Sequence, residues 1–108
     1  MAENFEAQEL TEKKFDVFVK SGLSLIDFYA EWCMPCLMME PIVSEVGERL
    51  QGKIKVGKIN IDSEKSVAQK FNVRSIPNFI LFKNGQVIGQ FIGAMGADEF
   101  EKKLKSYI

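Results

Sequence analysis

The sequence predicts an α/β fold, a central mixed β-sheet with helices on both faces. Three observations carry that expectation. Strand-like and helix-like segments alternate along the chain, and a strand–helix–strand unit pairs its strands in parallel. Leu25-Ile26-Asp27-Phe28-Tyr29 is apolar at nearly every position instead of every second one, as in a strand covered on both sides. Lys83-Asn84-Gly85-Gln86 is a hairpin signal, because Asn-Gly tolerates the positive φ of the primed turns, and a hairpin adds antiparallel strands.

Taken in order, residues 1–10 show little periodicity and allow a short edge strand or a loop. Thr11 reads as the N-cap of a helix running to about Lys20, with Phe15, Phe18 and Val19 on one face and Gly22 as its stop. Leu23 to Ala30 is the first strand. From Cys33 the pattern turns helical, with Met38, Met39, Ile42, Val43, Val46 and Leu50 at three- and four-residue steps and Gly52 as terminator. Pro35 suits the first turn, where a missing N–H is no loss, whereas Pro41 should kink the helix near residue 40. Ile54 to Asp62 is a second strand whose apolar phase shifts near Gly57, implying a bulge or burial on both faces. Ser63 is the expected cap of a short helix through Val67, Ala68 and Phe71 that ends near Asn72. Phe79 to Phe82 and Val87 to Ile92 are the two arms of the hairpin. Gly93 and Gly96 then break the chain before a last helix with Phe100, Leu104, Tyr107 and Ile108 on one stripe.

The chain of 108 residues is expected to form one domain over 1–108, with no linker, repeat or low-complexity segment. At 46% hydrophobic and 27% charged, with nine Phe, it can build a core without covalent staples. A net charge of −1 argues against nucleic acid as a partner, since phosphate binding wants a basic excess. No apolar run approaches the ~20 residues that cross a bilayer, so no membrane role is expected. Met1 to Leu10 is polar and acidic, without the basic-then-apolar pattern of a secretory leader, which points to a cytoplasmic, reducing location. The absence of histidine removes His-based general-base catalysis and His-ligated metals, and two cysteines supply only half of a zinc site.

The chemistry concentrates in Trp32-Cys33-Met34-Pro35-Cys36, which holds both cysteines between a strand and a helix. Cys-x-x-Cys in that setting reads as a redox pair. One helical turn brings two sulfurs within bonding distance and leaves the first thiol at the helix N-terminus, where free N–H groups and the helix dipole favour the thiolate. Cys33 is therefore the expected nucleophile, exposed, and Cys36 the shielded resolving thiol one turn inside. The alternative, two inert buried thiols, gives no reason for a spacing of two around a proline. Asp27 interrupts an apolar strand, and burial there should raise its pKa; otherwise it would lie at a bulge or strand edge, satisfied by backbone. Lys58 would stand on the neighbouring strand, either paired with Asp27 or solvated. Trp32 and Met34 are expected to be exposed beside the site, with a core tryptophan as the alternative. The methionines on the helical stripe are expected in the core, and the charge runs Glu12-Lys13-Lys14 and Lys102-Lys103 are read as solvated faces.

From its first to its last helix the chain resembles the thioredoxin family. The resemblance rests on Asp27-Phe28-Tyr29-Ala30-Glu31-Trp32-Cys33-Met34-Pro35-Cys36, Pro41, Lys58-Ile59-Asn60-Ile61-Asp62, Val73-Arg74-Ser75-Ile76-Pro77, Asn84-Gly85 and the Gly93 region. A lone Cys-x-x-Cys would be weak; this ordered set at matching separations is specific. The resemblance implies a protein disulfide reductase without a bound cofactor, acting as a monomer on protein disulfides and re-reduced by a thioredoxin-reductase-like donor. It implies that Asp27 exchanges a proton with Cys36, and that Pro77 is cis, faces the cysteines and leaves the Ile76 backbone free for an extended substrate. It further implies a substrate surface of Trp32, Met34, Pro35, Ile76, Pro77, Gly93 and Ala94, with Met95 on the same apolar rim. A trans proline opening an edge strand is the alternative for Pro77. The chain departs from the family pattern at Met34, where glycine is usual, at Leu37, often lysine, and at Asn78, usually threonine; these bear on potential and partners, not on fold. A glutaredoxin-like or oxidase/isomerase role on the same fold, or a redox-switched binding module without catalysis, are the rival readings.

Overall fold

The computed structural model describes residues 5–108. Its elements are β1 (Gln8–Glu9), α1 (Glu12–Val19), β2 (Leu23–Tyr29), α2 (Met34–Arg49), β3 (Lys55–Asn60), α3 (Lys65–Lys70), β4 (Asn78–Lys83), β5 (Gln86–Ile92) and α4 (Ala97–Lys105). The part of the N-terminal expectation that concerns residues 1–4, and any leader among them, lies outside the described residues.

The sheet order is β1-β3-β2-β4-β5. β2 sits at its centre, parallel to β3 and antiparallel to β4. The chain thus forms the mixed α/β sheet expected from its pattern, and the continuous apolar run of β2 has a direct cause. Leu25 faces a core with Met39, Val43 and Val46 of α2 and Phe100 and Leu104 of α4. Ile26 and Phe28 face the opposite core with Phe15 and Val19 of α1 and Val67 of α3. Strand alternation therefore turns Asp27 to the same side as Leu25, beneath α2.

Thr11 caps α1 by accepting from the Lys14 N–H at 3.3 Å. Asn84 and Gly85 have φ of 51° and 85°, the positive values that a primed two-residue turn requires. α2 runs unbroken through Pro41, whose missing N–H leaves the Leu37 carbonyl without its helical donor.

Of the two expectations at Gly57, burial on both faces holds: the β2–β3 register is continuous without a bulge, and the irregularity falls between Leu81 and Phe82 in the hairpin. The phase shift in β3 arises because Val56 and Ile59 serve opposite cores while Gly57 yields its space to neighbours. A Cβ there would stand 2.6 Å from Leu10 Cδ1 and 3.1 Å from Phe18 Cε2. Leu10 is fully buried and has little room to move, so Gly57→Ala is expected to cost about 1–3 kcal/mol as overpacking, read as a lower urea midpoint at unchanged slope. Ser63 does not cap α3. Glu64 holds the N-cap position without a side-chain cap bond and accepts from the Glu12 N–H at 2.8 Å, while the Ser63 hydroxyl turns back to the Asn60 carbonyl. Ile108 leaves the apolar stripe because α4 ends at Lys105, and it is exposed.

Candidate active site

Cys33 occupies the N-cap of α2 with extended backbone, φ −93° and ψ 106°. Its Sγ accepts from the Cys36 N–H at 3.2 Å, one of the donors that a helix start leaves free. Cys36 lies inside the first turn, and a disulfide joins the two across a Cα separation of 5.3 Å. A sulfur at that position receives an N–H bond and the positive end of a helix of 16 residues, both of which favour a thiolate over a thiol when the disulfide is opened.

The expected exposure of Cys33 is corrected: both cysteines are 4% exposed. Ala30 just ahead of the pair, and Ile61 and Ile76 from distant parts of the chain, pack against it. The stripe assignment of Met38 is corrected as well. Met39 is fully buried, but Met38, about 100° round the helix, is 64% exposed. Met38 joins Trp32, Met34, Leu37 and Ile92 among the exposed large apolar side chains. Trp32 is 69% exposed rather than in the core, and its indole N–H donates to Asp62 Oδ2 at 2.8 Å. Asp62 is itself set by its backbone N–H bond to Asn60 Oδ1 at 2.8 Å. Sequence reasoning gave Asp62 no role; its only signal was membership of the Lys58 to Asp62 run.

Ile76 packs against the cysteine pair, its bond to Pro77 is cis, and Pro77 is buried. The Pro77 carbonyl accepts from the Gly93 N–H at 2.8 Å, which ties the Gly93-Ala94 turn to this edge. Gly93 has a φ of 101°, a backbone that side-chain-bearing residues rarely adopt. Among the described residues the Ile76 backbone makes no hydrogen bond. Pro35 is exposed in the first turn of α2. Met95 places its N–H on Met39 Sδ at 3.4 Å.

Asp27 is neither at an edge nor at a bulge. It pairs with Lys58 on β3 and with Phe79 on β4, and it is 5% exposed. Its Oδ1 has no hydrogen-bond partner among the described residues. Burial raises its pKa from 3.8 to about 7; Lys58 opposes the rise, and Glu40 and Glu9 add to it. The lysine does not form an ion pair with Asp27: its Nζ stands 3.8 Å from Glu9 Oε1 and over the Tyr29 ring. Glu9 also accepts from the Tyr29 hydroxyl at 2.7 Å. Burial, then that bond, pushes the Tyr29 phenol above its usual range. Asp27 and Lys58 both line a cavity of about 170 Å³ under α2, shared with Glu40 and Ser44. Glu40 was missed by sequence reasoning, although its place four residues after Cys36 puts it on the same helix face. Among the described residues no group of three or more His, Cys, Asp or Glu side chains could hold a metal ion, and no helix is long and apolar enough to cross a membrane.

This arrangement can accept an extended disulfide-bearing segment at the Ile76 edge and attack it with a sulfur held at a helix start, while the buried Asp27 carboxyl can hold or release a proton near neutral pH. Comparison with known proteins agrees. The family model described as Thioredoxin matches residues 6–106. The chain is 39% identical over 104 residues to thioredoxin 1 of Nostoc sp., covering 94% of this chain and 97% of that protein. It is 34% identical over 106 residues to thioredoxin 2 of Chlorobaculum tepidum, covering 98% and 90%. Among solved structures, a mutant thioredoxin from Halobacterium salinarum superposes with a TM-score of 0.86 at 30% identity, covering 99% of this chain and 95% of that one.

Proposed function

The chain belongs to the thioredoxin family and is a thiol–disulfide oxidoreductase acting on protein disulfides, and from that premise we propose how its residues divide the reaction. Cys33 is the attacking thiolate and forms the mixed disulfide with the substrate. Cys36 then attacks Cys33 Sγ and releases the reduced substrate, leaving the Cys33–Cys36 disulfide. Asp27 takes the Cys36 proton, directly or through water in the cavity. The observation that carries this assignment is the N-cap position of Cys33, whose sulfur holds the Cys36 N–H while Cys36 lies within the helix. Lys58 stands across the strand pair from Asp27 and moderates its charge.

Trp32, Met34, Pro35, Ile76, Pro77, Gly93 and Ala94 form the substrate surface. Support comes from the exposed apolar side chains of Trp32 and Met34 and from the free Ile76 backbone, which can pair with an extended strand. The dithiol itself carries two electrons, so the reaction needs no bound cofactor, and an external thioredoxin-reductase-like donor restores it. We place the protein in the cytoplasm, as a monomer of one domain.

Met34 bears on direction. Between the cysteines it offers neither a charge nor a strong donor, and Pro35 has no N–H, so nothing there stabilises the reduced thiolate further. The protein is expected to accelerate insulin reduction by dithiothreitol, read as turbidity, and to equilibrate with glutathione at a potential well below the isomerase value of about −180 mV. A potential at or above that value would reassign it to oxidation or isomerisation.

A further inference from the structure

The cavity under α2 joins a buried acid to the surface. Asp27 sits at its inner end with one carboxyl oxygen unpartnered, and Glu40, which is exposed, lines the same space. Glu40 follows Cys36 by four residues, so the resolving sulfur and the Glu40 carboxylate project from adjacent turns of one face of α2. About 170 Å³ is room for several waters, and Asp27, Glu40, Ser44 and Lys58 line it with polar groups able to bond to them.

We propose that Glu40 is a positioning residue for the resolving step, governing proton passage between Asp27 and solvent. The inference rests on Asp27 being the proton acceptor for Cys36. The Cys36 S–H bond breaks and its proton goes to the Asp27 carboxylate. The Cys36 sulfur bonds to Cys33 Sγ, the bond from Cys33 to the substrate sulfur breaks, and the electron pair leaves on that sulfur, which is protonated by solvent. The proton on Asp27 then passes along the cavity to Glu40 and out.

An ordinary carboxylate is a poor base for a thiol, whose pKa is about 8.5 against about 3.9. Proton transfer is efficient only when the two are brought closer together. Burial does most of that for Asp27, and the neighbouring charges decide the remainder. Three elements and the segment ahead of β1 present charged groups to it. Lys58 of β3 favours the carboxylate, but its ammonium is shared with Glu9 of β1. Glu6, ahead of β1, lines the cavity from the far side. Glu40 is the contribution of α2, and an ionised Glu40 makes Asp27 hold a proton more firmly.

The test is the carboxyl carbon NMR titration of Asp27, read beside the pH profile of resolution of a Cys33–thionitrobenzoate mixed disulfide. Glu40→Gln should move both midpoints to lower pH by roughly half a unit, the scale of one like charge removed at strong screening. Glu40→Asp, which keeps the charge, should restore them. Glu48→Gln, on the same helix but away from the cavity, should leave them in place. An unmoved Asp27 midpoint in Glu40→Gln, or an equal movement in Glu48→Gln, overturns the proposal. Failure of the underlying reading looks different: Asp27→Asn would then leave the resolution profile unchanged, while the NMR arm still reports whether Glu40 governs Asp27.

Discussion

Cys33→Ser is expected to abolish disulfide reduction, with a loss on the order of 10³-fold or more, the scale on which removing a nucleophile acts. A hydroxyl at the N-cap can still accept the Cys36 N–H, so the helix start and the fold should persist. It is not ionised near neutral pH, however, and the attacking species is lost. Cys36→Ser has a different expected outcome. The first attack proceeds, nothing resolves the product, and a mixed disulfide through Cys33 accumulates that gel electrophoresis without reductant detects. Both cysteines are equally covered in the disulfide, so oxidised-state exposure does not distinguish them. The discriminating property is position: one sulfur faces the end of the helix and the other lies within it. Alkylation of the reduced protein by iodoacetamide at neutral pH should label Cys33 first, and the reverse order would exchange the two roles.

Asp27→Asn is expected to stabilise the protein above neutral pH while slowing resolution. In the folded state the Asp27 pKa stands at about 7, against 3.8 for the free side chain. The folded protein therefore keeps this proton over a range in which the unfolded chain has released it. The unfolded state binds fewer protons, so stability falls as pH rises from about 4 to about 7 and then levels. At about 1.4 kcal/mol per tenfold change in proton affinity, the loss at pH 8 is at most about 4 kcal/mol. Asparagine carries no charge and has no such slope. Urea midpoints of the two proteins should converge near pH 4 and separate in favour of the mutant toward pH 8. Parallel pH dependence in that window would mean that Asp27 is not held neutral by burial. Resolution should meanwhile slow by about 10²-fold, the contribution of a positioned general base. More stable and slower is the pattern expected when a strained charge is kept for function.

Local pattern made much of this molecule legible. The unbroken apolar run of β2 signalled a central strand, because side chains on both faces of a buried strand must leave water. Asn84-Gly85 gave its turn because the positive φ values there exclude most other residues. The spacing of the cysteines and the placement of Asp27 in an apolar strand identified the redox pair and the buried acid. These signals are local: each depends on a few neighbouring residues and the conformations open to them.

What remained hidden depended on partners far along the chain. Met38 and Met39 are adjacent and both apolar, and only the sheet lying under one face of α2 decides that Met39 is enclosed and Met38 is not. Cys33 is covered because Ile61 and Ile76 arrive from other parts of the fold, and no helix-start rule could announce them. Lys58 was rightly placed beside Asp27 by strand pairing, but its ammonium turns to Glu9 of β1, a two-residue strand too short to show periodicity. Glu40 looked like any solvated helix residue until the cavity beneath it set it opposite Asp27. The sequence by itself determined the element order, the sheet's centre and the identity of the reacting sulfurs, since backbone preference and hydrophobic pattern act over short stretches. Only the tertiary structure decided which charges share the space around Asp27, because electrostatic coupling depends on distances that chain separation does not encode.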